Sequence, residues 1–308
     1  MTGYLKNYSP ALQLVIFIGL ALAFYLVTFL FMAAVLPHLT GLSLFDILNG
    51  NLSDPKVLSA LKITQLTSTV ISFLMPAMIF CYLLSPRPFY YIGMSGKLSG
   101  WSILMTLLIM GCCLPLVGWL GDWNSHLHLT PGVDKTIHAL ESEADAMTKA
   151  ILKMPSFGSF LYSLFIIALV PAIAEELFFR GVLQRLLVQA TCRIWLGVLL
   201  ASFFFSFWHF EFLGFVPRMM LGAIIGLIYA YSGNLWLAIL AHFLNNGVQV
   251  LLVYLYQLKW ISTDITKDTP TPWGSALISL VLVILLFLAF RPLTAGKRAE
   301  FERSLTAL

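Results

Sequence analysis

The chain has 308 residues, of which 59% are hydrophobic and 10% charged, and its net charge is +4. Soluble domains carry about 25% charged residues, so this composition excludes an ordinary soluble protein and predicts a polytopic integral membrane protein. The small positive charge is spread over short loops and residues 291–303, as membrane orientation alone would produce, and it predicts no nucleic-acid partner.

Apolar runs of about 20 residues are long enough to cross a hydrocarbon core of about 30 Å as helices. Such runs predict a single all-α transmembrane domain over residues 1–308, a helical bundle of about eight transmembrane helices. In chain order the runs are Ala11–Leu36, Ile63–Leu84, Trp101–Leu120, Phe157–Val170 with a continuation past two glutamates, Trp195–Phe212, Phe215–Tyr231, Leu235–Tyr256 and Ala276–Phe290.

Charged flanks predict the orientation of the chain. The first run has Lys6 as its positive flank and no small-residue cleavage site, so it is interpreted as a retained signal anchor. With the N-terminus inside, the arginines on the cytoplasmic side are Arg87, Arg180, Arg185, Arg193, Arg291, Arg298 and Arg303, and Arg218 falls outside. The arginines therefore predict that both termini are cytoplasmic, although most lysines fall outside. Without eukaryotic retrieval signals, we expect a bacterial inner membrane, with the endoplasmic reticulum as the alternative.

A polar connection separates the third and fourth runs. It extends from Asp122 to Pro155, and within it Ala146–Met154 is amphipathic enough to lie along the membrane surface. We interpret the segment as a solvated connector, with a lid as the alternative.

Two adjacent carboxylates, Glu175 and Glu176, continue the fourth run. An ionised carboxylate at bilayer depth costs about 2.5–3.5 kcal/mol by insertion scales, so such residues usually face a bundle interior or a watery cavity. Glu176 and Arg180 are four residues apart and are predicted to form an ion pair, whereas Glu175 projects about 100° away and is left for chemistry. Pro171 frees the carbonyl of Ile167, which favours a polar cavity nearby. The alternative is a helix end where both acids reach headgroup water.

Two histidines belong to later apolar runs. His209 lies about as far after the turn at Thr191–Ile194 as Glu175 lies before it, so an antiparallel hairpin would bring both to one depth. His242 and Asn246 are four residues apart and share a helix face. Such histidines can accept protons or bind metal, and an amide can donate to an oxyanion or orient a histidine. The alternative is a set of interhelical hydrogen bonds that only pack the bundle.

Three motifs therefore lie on separate membrane segments: Glu-Glu-x-x-x-Arg, Phe-x-x-x-His and His-x-x-x-Asn. Their combination and order resemble the CPBP family of CAAX proteases and bacteriocin-processing enzymes, also called the Abi family, which is related to type II CAAX prenyl proteases. The residues that carry the resemblance are Glu175, Glu176, Arg180, Phe205, His209, His242 and Asn246. The resemblance covers residues 157–253, which we interpret as the catalytic core.

The resemblance implies an intramembrane endopeptidase that hydrolyses a peptide bond of a membrane-associated peptide or protein. It implies that Glu175 activates water with help from His209, while His242 and Asn246 stabilise the oxyanion. Members of this family have been described as glutamate-dependent and as metalloproteases. No cofactor is certain, and a divalent metal such as zinc held by Glu175, His209 and His242 is the alternative. The chain lacks His-Glu-x-x-His, and Asn246 is a poor zinc ligand, which favours the metal-independent mechanism.

Two other functions stay open. A non-catalytic immunity or scaffold protein would bind a peptide in the same cavity. A proton-coupled transporter also uses intramembrane Glu, His and Arg, but it would need ionisable groups across several spans, and the first three runs have none at their centres. The expected partners are a membrane-associated peptide or protein and the lipid bilayer. The sequence leaves the substrate, its prenylation and the oligomeric state unidentified.

Overall fold

A computed structural model describes residues 3–127, 130–262, 270–294 and 296, and these residues form helices without a β-strand. The longer helices are α1 (Pro10–Ala34), α2 (Pro55–Leu84), α3 (Gly100–Ser125), α4 (Pro131–Ile151), α5 (Phe157–Thr191), α6 (Ile194–Phe207), α7 (Phe215–Ser232), α8 (Leu235–Gln257) and α9 (Trp273–Leu293). Shorter helices occupy Leu36–Thr40, Leu44–Leu48 and Pro88–Tyr91. The chain is therefore an all-α bundle, as predicted.

Seven helices of the described residues are long and apolar enough to cross a membrane, namely α1, α2, α3, α5, α7, α8 and α9. This confirms a polytopic membrane protein. The α2 helix begins earlier than hydropathy predicts, because Pro55 opens it and the Asp54 side chain accepts a hydrogen bond from the Lys56 backbone N–H. A search for apolar runs does not detect a polar first turn of this kind.

The fifth predicted run, Trp195–Phe212, is wrong at its C-terminal end. The α6 helix ends at Phe207 after 14 residues. A helix of that length rises about 21 Å, which is less than the hydrocarbon core. The chain then turns through residues 208–214, where Phe210 adopts a left-handed φ of 53°. Because Trp208, Phe210 and Phe212 continue the aromatic pattern into this turn, the predicted run extended through it, and the turn carries His209 outside the helix.

The α5 helix lies at the centre of the bundle. Every residue from Ala174 to Val188 is buried, so the helix is enclosed on all sides. Its hydrogen bonding widens into π-helical turns at Leu164–Leu169 and Leu177–Gln184, on either side of the α-helical Val170–Glu176. Such turns change the direction of the side chains that follow and occur often at functional sites. The two glutamates therefore stand on a short α-helical segment between irregular turns.

The predicted hairpin is present between α5, which ends at Thr191, and α6, which begins at Ile194. The backbone of α7 also approaches α5 closely at two glycines. Arg180 Nη2 donates to the Gly222 carbonyl at 3.1 Å, and Gln184 Nε2 donates to the Gly226 carbonyl at 3.0 Å. Side chains of α5 thus hydrogen-bond directly to the α7 backbone, one helical turn apart.

The connection between α3 and α5 forms a helix, α4. Most of α4 is exposed, but Ala150 and Ile151 at its end are buried. Glu141 in its middle accepts a hydrogen bond from the Leu213 backbone N–H at 2.8 Å. The segment is thus solvated over most of its length, as predicted, but it is helical, and Glu141 attaches it to the turn that carries His209.

Candidate active site

Glu176 is fully buried, and one of its carboxylate oxygens accepts two hydrogen bonds. Its Oε1 accepts from Arg180 Nη1 at 2.7 Å and from His242 Nδ1 at 2.8 Å. The predicted Glu176–Arg180 ion pair within α5 is therefore present, and the contact with His242 adds a second helix, α8, to it. The Arg180 guanidinium also lies 4.5 Å from the centre of the Phe205 ring. Buried charges require such compensation, so Glu176 joins α5 to α8.

Glu175 has a different environment from its neighbour. It is 9% exposed and lines a cavity of about 460 Å³. Its Oε2 is buried and has no hydrogen-bond partner among the described residues. Buried polar atoms without partners are rare in folded proteins and are often found at functional sites or beside water. The chemically available carboxylate is thus Glu175.

His209 lines the same cavity from the turn after α6. Its Nδ1 lies 2.8 Å from the Phe205 carbonyl oxygen, which can only accept, so Nδ1 carries the hydrogen. In the neutral ring Nε2 is then an acceptor. The Phe205 ring packs edge-on against both His209 and His242, with centroid distances of 5.1 and 5.8 Å. The Phe-x-x-x-His motif therefore fixes the tautomer and the orientation of its histidine.

The His-x-x-x-Asn motif is anchored at both of its residues. His242 Nδ1 donates to Glu176 Oε1, which leaves Nε2 of His242 free of that bond. Asn246 Nδ2 donates to the Ile167 carbonyl at 3.1 Å, so the carbonyl that Pro171 frees finds a side-chain donor. Glu176, rather than Asn246, orients His242. The primary amide of Asn246 has a second N–H beyond the one bonded to Ile167.

The cavity collects the predicted residues and several that the motifs do not contain. Glu175, His209, His242 and Asn246 line it together, whereas the ion pair of Glu176 and Arg180 lies behind its wall. The further polar side chains that line it are Gln65, Arg218, Asn245 and Gln249 of the apolar helices and Thr148 of α4. Sequence reasoning missed the first four of these because hydropathy marks them only as polar positions in otherwise apolar helices.

Glu175, His209 and His242 are the residues that would hold a metal ion. Within residues 3–127, 130–262 and 270–294, no three His, Cys, Asp or Glu side chains converge closely enough to bind one. Zinc sites need three or four protein ligands around one point. The arrangement of donors therefore does not fit a resident metal, and the chemistry is derived from the side chains alone.

Comparison with known proteins agrees with the motifs. Residues 157–248 match the family model described as Type II CAAX prenyl endopeptidase Rce1-like. The Bacillus subtilis (strain 168) protein described as "Uncharacterized protein YpbD" is 26% identical over 171 residues, which cover 52% of this chain and 76% of that protein. No solved structure matches the chain. The matched segment contains all three motifs, so residues 157–248 are similar to the Rce1-like family of type II CAAX prenyl endopeptidases.

Proposed function

We propose that the chain is an intramembrane endopeptidase in which Glu175 and His209 activate water against a peptide bond. The observation that carries this proposal is the contrast between two adjacent glutamates. Glu176 Oε1 accepts hydrogen bonds from both Arg180 and His242, and only its Oε2 has no partner. Glu175 accepts no hydrogen bond from the described residues, and it alone of the two glutamates lines the cavity shared with His209. A purely structural role would not require one of the two to remain unpaired.

Water activation follows from two acceptors in one cavity. A water molecule that donates one hydrogen to Glu175 and the other to His209 Nε2 keeps an oxygen lone pair for attack on a substrate carbonyl. As the new C–O bond forms, the water proton passes to the Glu175 carboxylate, which acts as general base. Because the Phe205 carbonyl holds the hydrogen of His209 on Nδ1, the ring stays oriented as an acceptor.

The carbonyl oxygen of the substrate gains negative charge in this step. His242 can donate to it from Nε2 when both ring nitrogens carry hydrogens. Asn246 can donate its second amide N–H. When the C–N bond breaks, the protonated Glu175 returns its proton to the leaving amine. The products are a carboxylic acid and an amine, and the enzyme is unchanged.

The substrate is a membrane-associated peptide or protein that enters laterally. A second groove of about 260 Å³ lies between α3 and α8 and has almost entirely apolar walls. Asn245 and Gln249 line both this groove and the catalytic cavity, so they form the partition between them. Movement of these side chains would connect the lipid-facing side to Glu175. We also propose a bacterial inner membrane with cytoplasmic termini, which requires α6 together with the turn after it to make an eighth crossing.

The test is cleavage of a library of lipid-anchored, quenched-fluorescent peptides by the protein in nanodiscs. Wild type should cleave a subset, and Glu175→Gln and His209→Ala should lose cleavage by about 10²- to 10⁴-fold. Glu143→Gln, on the exposed face of α4, is the matched control and should cleave normally. Peptide binding by wild type without cleavage by any form would contradict the proposal and favour a non-catalytic immunity or scaffold protein.

A further inference from the structure

Arg218 is the cationic side chain of the cavity that the three motifs do not contain. It lies in the first turn of α7 and lines the cavity together with Glu175 and His209. Its Nη2 forms an ion pair with Glu211 Oε2. Its Nη1 is buried and has no hydrogen-bond partner in the described part of the chain. Nη2 of the guanidinium is therefore paired with Glu211, whereas Nη1, in the same cavity as Glu175, has no partner among the described residues.

A buried guanidinium N–H without a partner is costly, because desolvation is not repaid by a hydrogen bond. The position is nevertheless built to hold this group. A Cβ at Gly214 would lie 3.0 Å from Arg218 Nη2, so the glycine leaves the space that the guanidinium fills. Glu211, by contrast, is 39% exposed at the edge of the site. The unused donor is thus in the buried part of the site and the occupied one is near its edge.

The turn that precedes Arg218 is fastened from two sides. The Asn124 side chain of α3 donates to the Phe212 carbonyl at 2.8 Å and accepts from the Val216 N–H at 2.7 Å. Glu141 of α4 accepts from the Leu213 N–H at 2.8 Å. Three hydrogen bonds thus fix the chain around Arg218 before any ligand binds. A preorganised arginine loses little freedom on binding, which favours affinity.

We propose that Arg218 determines substrate specificity by binding a carboxylate of the peptide beside the scissile bond. Arginine presents parallel N–H groups that match the two oxygens of a carboxylate. The Glu211 carboxylate already forms an ion pair with Nη2 of this arginine. The carboxylate is either the C-terminus of the substrate or an Asp or Glu side chain. This inference rests on the proposed endopeptidase function, because it assigns a subsite to the same cavity.

The experiment uses the fastest-cleaved lipid-anchored peptide of the library in three forms: unchanged, with a C-terminal amide, and with each Asp or Glu replaced by Asn or Gln. Wild type should show a kcat/KM about 10- to 100-fold higher for the peptide that retains the recognised carboxylate. Arg218→Gln should abolish this difference by lowering the rate for that peptide alone. Arg218→Lys keeps the positive charge but lacks the parallel N–H groups of a guanidinium, so it should retain part of the rate difference between the peptides. The form that loses rate in wild type identifies the source of the carboxylate.

An equal loss for all three peptides in Arg218→Gln would overturn the proposal, because it is the result of a purely electrostatic or structural role. So would equal rates for all three peptides in wild type. Binding of the same peptides to Glu175→Gln and to Glu175→Gln/Arg218→Gln gives a readout that needs no catalysis. Carboxylate-dependent binding that disappears with Arg218, combined with no cleavage by wild type, would uphold the subsite and reject the endopeptidase function.

Discussion

Substitution of each adjacent glutamate by glutamine should have opposite consequences. Glu176 Oε1 accepts charge-assisted bonds from Arg180 at 2.7 Å and His242 at 2.8 Å, and all three side chains are at least 95% buried. Removal of one partner from a buried ion pair costs about 3–5 kcal/mol. Glutamine keeps one acceptor oxygen, so we expect Glu176→Gln to lower the free energy of unfolding by about 3 kcal/mol, at the lower end of that range.

The same change at Glu175 removes no hydrogen bond from Oε2 and eliminates a buried charge. We therefore expect Glu175→Gln to leave the free energy of unfolding within about 1 kcal/mol of wild type or to raise it, while cleavage falls by about 10²- to 10⁴-fold. Unfolding in mixed detergent micelles and cleavage per folded molecule separate the two effects, with Glu143→Gln as the surface control. Equal destabilisation by both substitutions would refute the division of roles between the glutamates.

Three further predictions concern helix packing, entry and the α4 helix. Gly226→Ala should destabilise the bundle by about 1–3 kcal/mol, measured by thermal unfolding in detergent, because its Cβ would lie 2.7 Å from Gln184 Oε1. Gly111→Leu should raise KM for a lipid-anchored peptide at unchanged kcat, because it fills the α3–α8 groove. Gly19→Leu, at an equally open helix position, is its control and should leave KM unchanged. Glu141→Gln should increase amide hydrogen exchange in α4 and residues 208–214, since it weakens the bond between them, and unchanged exchange would show that α4 is held otherwise.

The lengths of the apolar runs predicted much of the fold, because a helix that crosses the lipid bilayer must be long and apolar. The hairpin at Thr191–Ile194 followed from run lengths, and the Glu176–Arg180 pair followed from helical spacing. The need of the Ile167 carbonyl for a donor followed from proline chemistry, although the donor itself, Asn246, did not. Interactions within one helix or one turn are therefore readable from sequence.

Features that depend on how helices meet were not predictable. The contact between Glu176 and His242 joins residues 66 positions apart, and nothing local specifies it. Hydropathy also extended α6 past Phe207, because aromatic residues continue into the turn that follows. Arg218 was interpreted only as a charge that orients the chain, whereas the fold of α7 brings it into the cavity that Glu175 and His209 line.

The most direct test of the central claim is the cleavage rate of the nanodisc protein after exhaustive treatment with a metal chelator, measured beside untreated Glu175→Gln. A carboxylate that activates water without a metal predicts that chelated wild type keeps its full rate while Glu175→Gln falls to background. Loss of wild-type activity on chelation with recovery on addition of zinc, or cleavage that persists in Glu175→Gln, would contradict the mechanism.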